Sequence, residues 1–114
     1  MFHLVAPCRL LDTRGSAALA NGDTLDVTVG GRCGVPVGAT AAVVNLTAVT
    51  PTSDGFAALH RAGMAWMGTS TLNYRIGRTR ANNAVVAVAS DGKIALRNVG
   101  AATHFLIDVT GYFQ

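Results

Sequence analysis

An all-β sandwich is the fold class this sequence predicts, and three observations carry the prediction. The charged residues are eight Arg, one Lys and six Asp, with no Glu, so the residues that helix surfaces favour are nearly absent. Thirteen Gly and many Val and Thr take their place, a composition of strands and turns. Turn signals also recur at short, even intervals between short apolar runs, the pattern of a sandwich or barrel. About eight antiparallel strands fit that spacing, most simply as a jelly roll.

The elements follow in order. Thr24 to Val29 alternates, with Leu25, Val27 and Val29 on one face, as in a half-buried strand. Ala41 to Val49 is more continuously apolar and predicts a central strand covered on both sides or nearly so. Phe56 to His60 is a short strand after the Pro51–Gly55 turn, and Asn83 to Ala89 is a small-residue, β-branched one. Asp91-Gly92 predicts a tight type I′ hairpin into Lys93–Arg97. Thr103 to Val109 alternates again, with Phe105, Ile107 and Val109 turned together. Ala17 to Ala20, fenced by Gly15 and Gly22, is too short for a helix.

The bulk numbers narrow the function classes. The 114 residues fit one domain, 1–114, with 50% hydrophobic and 13% charged residues, enough apolar surface to offset the entropy of ordering. A net charge of +3 and seven aromatics argue against a nucleic-acid surface, which needs a denser basic stripe and stacking rings. No apolar run reaches the length of a membrane span. Met1-Phe2-His3 leads straight into the domain without a basic and apolar leader. An exported protein would therefore have lost its signal peptide, or the chain is one module of a longer one.

Cys8 and Cys33 are the whole cysteine inventory and lack zinc-ligand spacing. Their even number in an export-type chain favours a disulfide; two buried free thiols are the alternative. No enzyme is expected. Asp23, Asp54 and Asp91 each adjoin a glycine, which is turn chemistry. No serine has a nucleophile-elbow setting. His3, His60 and His104 lie on distant segments without metal-ligand spacing, so neither a metal nor another cofactor is expected. His104, on the strand face of Asp108, fits a structural hydrogen bond. Asn45, Asn73, Asn82 and Asn83 fall in or beside strands, where asparagine is disfavoured, and fit caps of bulges or edges.

Several stretches then carry a resemblance. Pro7-Cys8-Arg9-Leu10-Leu11-Asp12-Thr13-Arg14 resembles the Pro-x-Arg-hydrophobic-hydrophobic-Asp-Thr-Arg opening of a module common in secreted actinobacterial and related bacterial proteins. Gly34-Val35-Pro36, Ala42 to Val49, Ser70-Thr71-Leu72-Asn73-Tyr74, Asp91 to Ile94 and His104 to Phe113 match its later landmarks in order. The resemblance implies an extracellular β-sandwich accessory module with no defined catalytic residues. Met64-Ala65-Trp66-Met67 departs from the pattern, and the Arg75, Arg78, Arg80 group is richer than it.

Two groups of residues invite a role. Arg9, Asp12 and Arg14 could form an anion or sugar site, but an internal pin is favoured, with Asp12 or Asp108 tying the first segment to the last strand. Between Arg61 and Thr69, Met64, Trp66 and Met67 lie among glycines. They form either an adhesive surface patch, helped by Arg75, Arg78 and Arg80, or a plug for one end of the sandwich. The reading preferred is a non-catalytic, secreted or cell-surface adhesion-type module that binds a glycan or protein. The alternative is a structural module that self-assembles, through strand edges or through Met64–Met67, into a homo-oligomer or filament.

Overall fold

The computed structural model describes residues 1–114. Eight strands form two four-stranded antiparallel sheets. The strands are β1 (Phe2–Asp12), β2 (Thr24–Thr28), β3 (Ala41–Val49), β4 (Gly55–Arg61), β5 (Leu72–Tyr74), β6 (Arg80–Ala87), β7 (Lys93–Val99) and β8 (His104–Phe113). One sheet runs β1-β8-β3-β6 and the other β2-β7-β4-β5. The neighbours β1–β8, β2–β7, β3–β6 and β4–β5 are those of a long antiparallel ribbon folded over on itself. The only helical residues are the 3-10 turn Thr13–Gly15.

The two sheets enclose one core of 21 buried residues. Alternation assigns them: Val44 and Leu46 of β3, Ile94 and Leu96 of β7 and Phe105, Ile107 and Val109 of β8 all point inward. At one end of the core Tyr74 donates to Asn98 Oδ1 at 2.6 Å. Asn98 Nδ2 donates to the carbonyls of Leu19 at 2.9 Å and Ala101 at 3.1 Å. Asn98 is wholly buried, and these bonds keep its amide from being an uncompensated polar group. A Cβ on Gly100, which holds φ +147°, would collide with the Tyr74 hydroxyl.

Cys8 and Cys33 are disulfide-bonded, with Cα atoms 5.7 Å apart, which ties β1 to the loop after β2. Cys8 follows a register break in the β1–β8 pairing that also contains Pro7, where a missing N–H costs least.

Three sequence expectations need correction. Asp91-Gly92 turns the chain, with Gly92 N donating to Ala89 O at 2.8 Å, but only Gly92 has positive φ. The turn is therefore not type I′, and the strands it joins, β6 and β7, lie in different sheets. The turn closes on itself as a tight loop, with Ala89 N donating to Lys93 O at 3.0 Å, and sits at a corner of the sandwich where Val29 N and Gly30 N donate to Gly92 O. Second, β3 is central but buried on its inner face only, its outward residues being half-buried. Third, β6 begins and ends earlier than the apolar pattern predicts, because pairing with β3 extends it back over Arg80, Ala81 and Asn82, opposite Ala48, Thr47 and Leu46.

Candidate functional site

The outer face of the β2-β7-β4-β5 sheet carries the most distinctive surface. Ala57 and Leu59 of β4 and Ile94 and Leu96 of β7 enter the core. Phe56, Ala58 and His60, with Lys93, Ala95 and Arg97, therefore face outward. Thr24, Asp26 and Thr28 of the neighbouring β2 are exposed beside them, opposite Arg97, Ala95 and Lys93. Ala58 and Ala95 are nonetheless fully buried.

Trp66 lies on this face. Its ring centroid is 5.9 Å from that of Phe56. The guanidinium carbon of Arg97 is 4.6 Å from the indole centroid, a cation–π distance. Its Nε1 donates to Thr69 O at 2.9 Å, within its own loop. The residue is half-buried: the loop between β4 and β5 folds back over the sheet. Trp66 is thus neither a free-standing patch nor a plug in the end of the sandwich. Met64 and Met67 beside it are 60% and 84% exposed.

Two polar atoms here have no partner. His60 Nδ1 lies 3.0 Å from Arg61 O, but His60 Nε2 and Arg97 Nε are buried and unbonded. His60 pairs with Ala95 and Arg97 with Ala58, so the two side chains are diagonal neighbours on one face. Such groups are uncommon, because each forfeits its hydration.

The arginines predicted to assist Trp66 lie elsewhere. Arg75 and Arg78 occupy the β5–β6 loop and Arg80 begins β6. That loop is fastened to the β3–β4 turn, with Ile76 N donating to Asp54 Oδ1 at 2.9 Å and Gly77 N to Pro51 O at 2.6 Å. All three arginines are exposed, and none stacks on Trp66. The arginine on the indole is Arg97, which proximity along the chain could not reveal: β5 and β6 lie between it and Trp66. Its one sequence signal is its outward position in an alternating strand, a weak sign shared by most surface residues.

Arg9, Asp12, Arg14 and Asp108 form the pin. Arg9 and Asp108 are register partners on β1 and β8, joined Nε to Oδ1 at 2.6 Å. Arg9 also lies 3.5 Å from Asp12. Asp12 caps the 3-10 turn, accepting from Arg14 N at 3.0 Å and from Arg14 Nη2 at 2.8 Å. The hydrogen bonds from the Arg14 side chain and backbone hold the Asp12 carboxyl well below the usual carboxylate range. The Asp108 hydrogen bond raises the Arg9 guanidinium, and that of Asp12 raises Arg14. These side chains reach water, so the pin is more exposed than the internal one expected from the sequence.

His104 bonds Thr13 Oγ1 at 3.0 Å rather than Asp108, because Leu106 lies between the two on that strand face and four residues of extended strand separate them by about 13 Å. His3 stacks on Tyr112 at 4.9 Å. Asn82 Nδ2 holds Thr71 O at 2.9 Å and Asn73 Oδ1 accepts from Ser70 at 2.8 Å, whereas Asn45 and Asn83 face each other across β3 and β6. Two concavities remain. One of 520 Å³ is bounded by Leu11, Leu19 and Leu25, and one of 280 Å³ by Thr40, Arg61 and Val88. Neither includes Trp66.

No protein-family model and no curated protein matches this chain.

Proposed function

We propose that the chain is a non-catalytic, extracellular binding module of jelly-roll type, and that it takes a glycan on the outer face of the β2-β7-β4-β5 sheet. The observation that carries this reading is the seating of Trp66 against Phe56 and under Arg97, next to the exposed polar residues Thr24, Asp26 and Thr28 of β2. A half-exposed indole gives a sugar ring an apolar plane. Arg97, His60, Asp26 and Thr24 border it with donors and acceptors fixed on strands, and rigid strand positions keep the directional cost of binding low. The disulfide suits an oxidising compartment, and the Pro7–Arg14 resemblance supports a secreted bacterial setting.

A glycan array with the purified chain tests the reading. Hits are expected, and Trp66→Ala should remove them while its melting transition stays near that of the wild type. An array without hits, or hits that survive Trp66→Ala, would overturn it.

A further inference from the structure

The sandwich has four edge strands, and three are guarded against pairing. In β1, Pro7 lacks an N–H, the β1–β8 register breaks twice, and Cys8 is tied sideways to Cys33. β2 is only five residues long and has Asp26 at its centre. β5 is only three residues long. Short strands, proline, bulges and charge are the devices by which sheets avoid edge-to-edge association.

β6 has none of them in its interior. Its eight residues keep an unbroken register with β3, from Ala41 opposite Ala87 to Ala48 opposite Arg80. It contains no proline, and its one charge, Arg80, stands at its start. Six of its eight residues are exposed. None of the loop and turn backbone hydrogen bonds involves residues 80–87, so the outward N–H and C=O groups of this edge are free.

We propose that β6 pairs antiparallel with β6 of a second copy, continuing the β1-β8-β3-β6 sheet across a two-fold axis. A second copy is the occupant because the strand is self-complementary about Asn83. On the outer face a polar row crosses the sheet through the register partners Arg9, Asp108, Asn45 and Asn83. It ends at the free edge on Asn83, whose amide can both donate and accept. An axis beside Asn83 sets that amide against the partner's Asn83 and carries the row into the other copy. Ala81 then meets the partner's Val85, and Val85, 64% exposed, meets the partner's Ala81. The two Arg80 side chains fall at opposite ends, about 20 Å apart along the strands, so they do not repel. Main-chain hydrogen bonds supply the attraction and side-chain register its specificity. This surface is distinct from the Trp66 face and does not rest on the glycan reading.

Sedimentation or light scattering across concentration should show a monomer–dimer equilibrium. Ala81→Lys with Val85→Lys sets lysine against lysine twice and should weaken the dimer by at least about tenfold. Ala81→Lys with Val85→Glu sets opposite charges in the same places and should restore it. Both positions are exposed, so the fold should persist, as a melting curve checks. Independently of those variants, Asn83→Cys should form an intersubunit disulfide under mild oxidation, and Ala84→Cys should not. A wild type monomeric into the millimolar range, a dimer indifferent to the lysine pair, or cross-linking no better at 83 than at 84 would each overturn the proposal. Trp66→Ala should leave the dimer intact, which separates this test from that of glycan binding.

Discussion

Arg97 stands with its guanidinium carbon 4.6 Å from the centre of the Trp66 ring, and that contact joins the β4–β5 loop to the sheet beneath it. Trp66 is the only tryptophan in the chain, so fluorescence excited beyond the tyrosine band reports the surroundings of this ring alone. Arg97→Ala should shift the emission to longer wavelength as water reaches the ring. An unchanged spectrum would mean that Phe56 and the Thr69 carbonyl seat the indole by themselves.

Asn98 anchors the opposite, buried side of the same strand. Asn98→Ala strands the Tyr74 hydroxyl and the Leu19 and Ala101 carbonyls inside the protein. The expected loss is roughly 2–4 kcal/mol in denaturant unfolding, since each buried orphan costs about 1–3 kcal/mol. Tyr74→Phe, which removes one partner and leaves the ring, should cost less. Equal losses would show that the ring environment, not the amide network, is what matters.

Reduction of the Cys8–Cys33 bridge should lower stability by roughly 3 kcal/mol, from the chain entropy of a loop with this 25-residue separation. The double variant Cys8→Ser, Cys33→Ser should match the reduced protein. Unfolding midpoints that coincide with those of the oxidised form would place the constraint elsewhere.

Asp12 makes stability depend on pH in one direction. Its folded-state carboxyl is held below the ordinary value by Arg14. The pair therefore stabilises the fold above the unfolded-state value of about 3.9 and loses that effect as the pH falls below it. Asp12→Asn should melt below the wild type at neutral pH, by a small margin because the side chains are exposed. The two curves should approach each other in acid. A gap that stays constant down to pH about 2 would show that the arginine pairing contributes nothing.

The sequence by itself determined the class of fold, the approximate number of strands and which residues of β2 and β8 point inward, because a two-residue period is a local property of the chain. It also favoured a pin among Arg9, Asp12, Arg14 and Asp108 over an anion or sugar site, but left open which aspartate ties the first segment to the last strand; that tie is Asp108, while Asp12 pairs with Arg14 of its own segment. Tertiary structure decided which strands became neighbours. Asp91-Gly92 has the composition of a hairpin turn, but the residues it connects enter different sheets, and nothing local distinguishes a hairpin from a corner. Packing across the sandwich decided the site as well. Arg75, Arg78 and Arg80 are near Trp66 along the chain and take no part in seating it, whereas Arg97, far away in sequence, lies against the indole. Asn98 reads as an ordinary strand residue until the inward face of β7 is known. A side chain's partners are set by register between strands distant in sequence, and register is fixed only when both sheets close over one core.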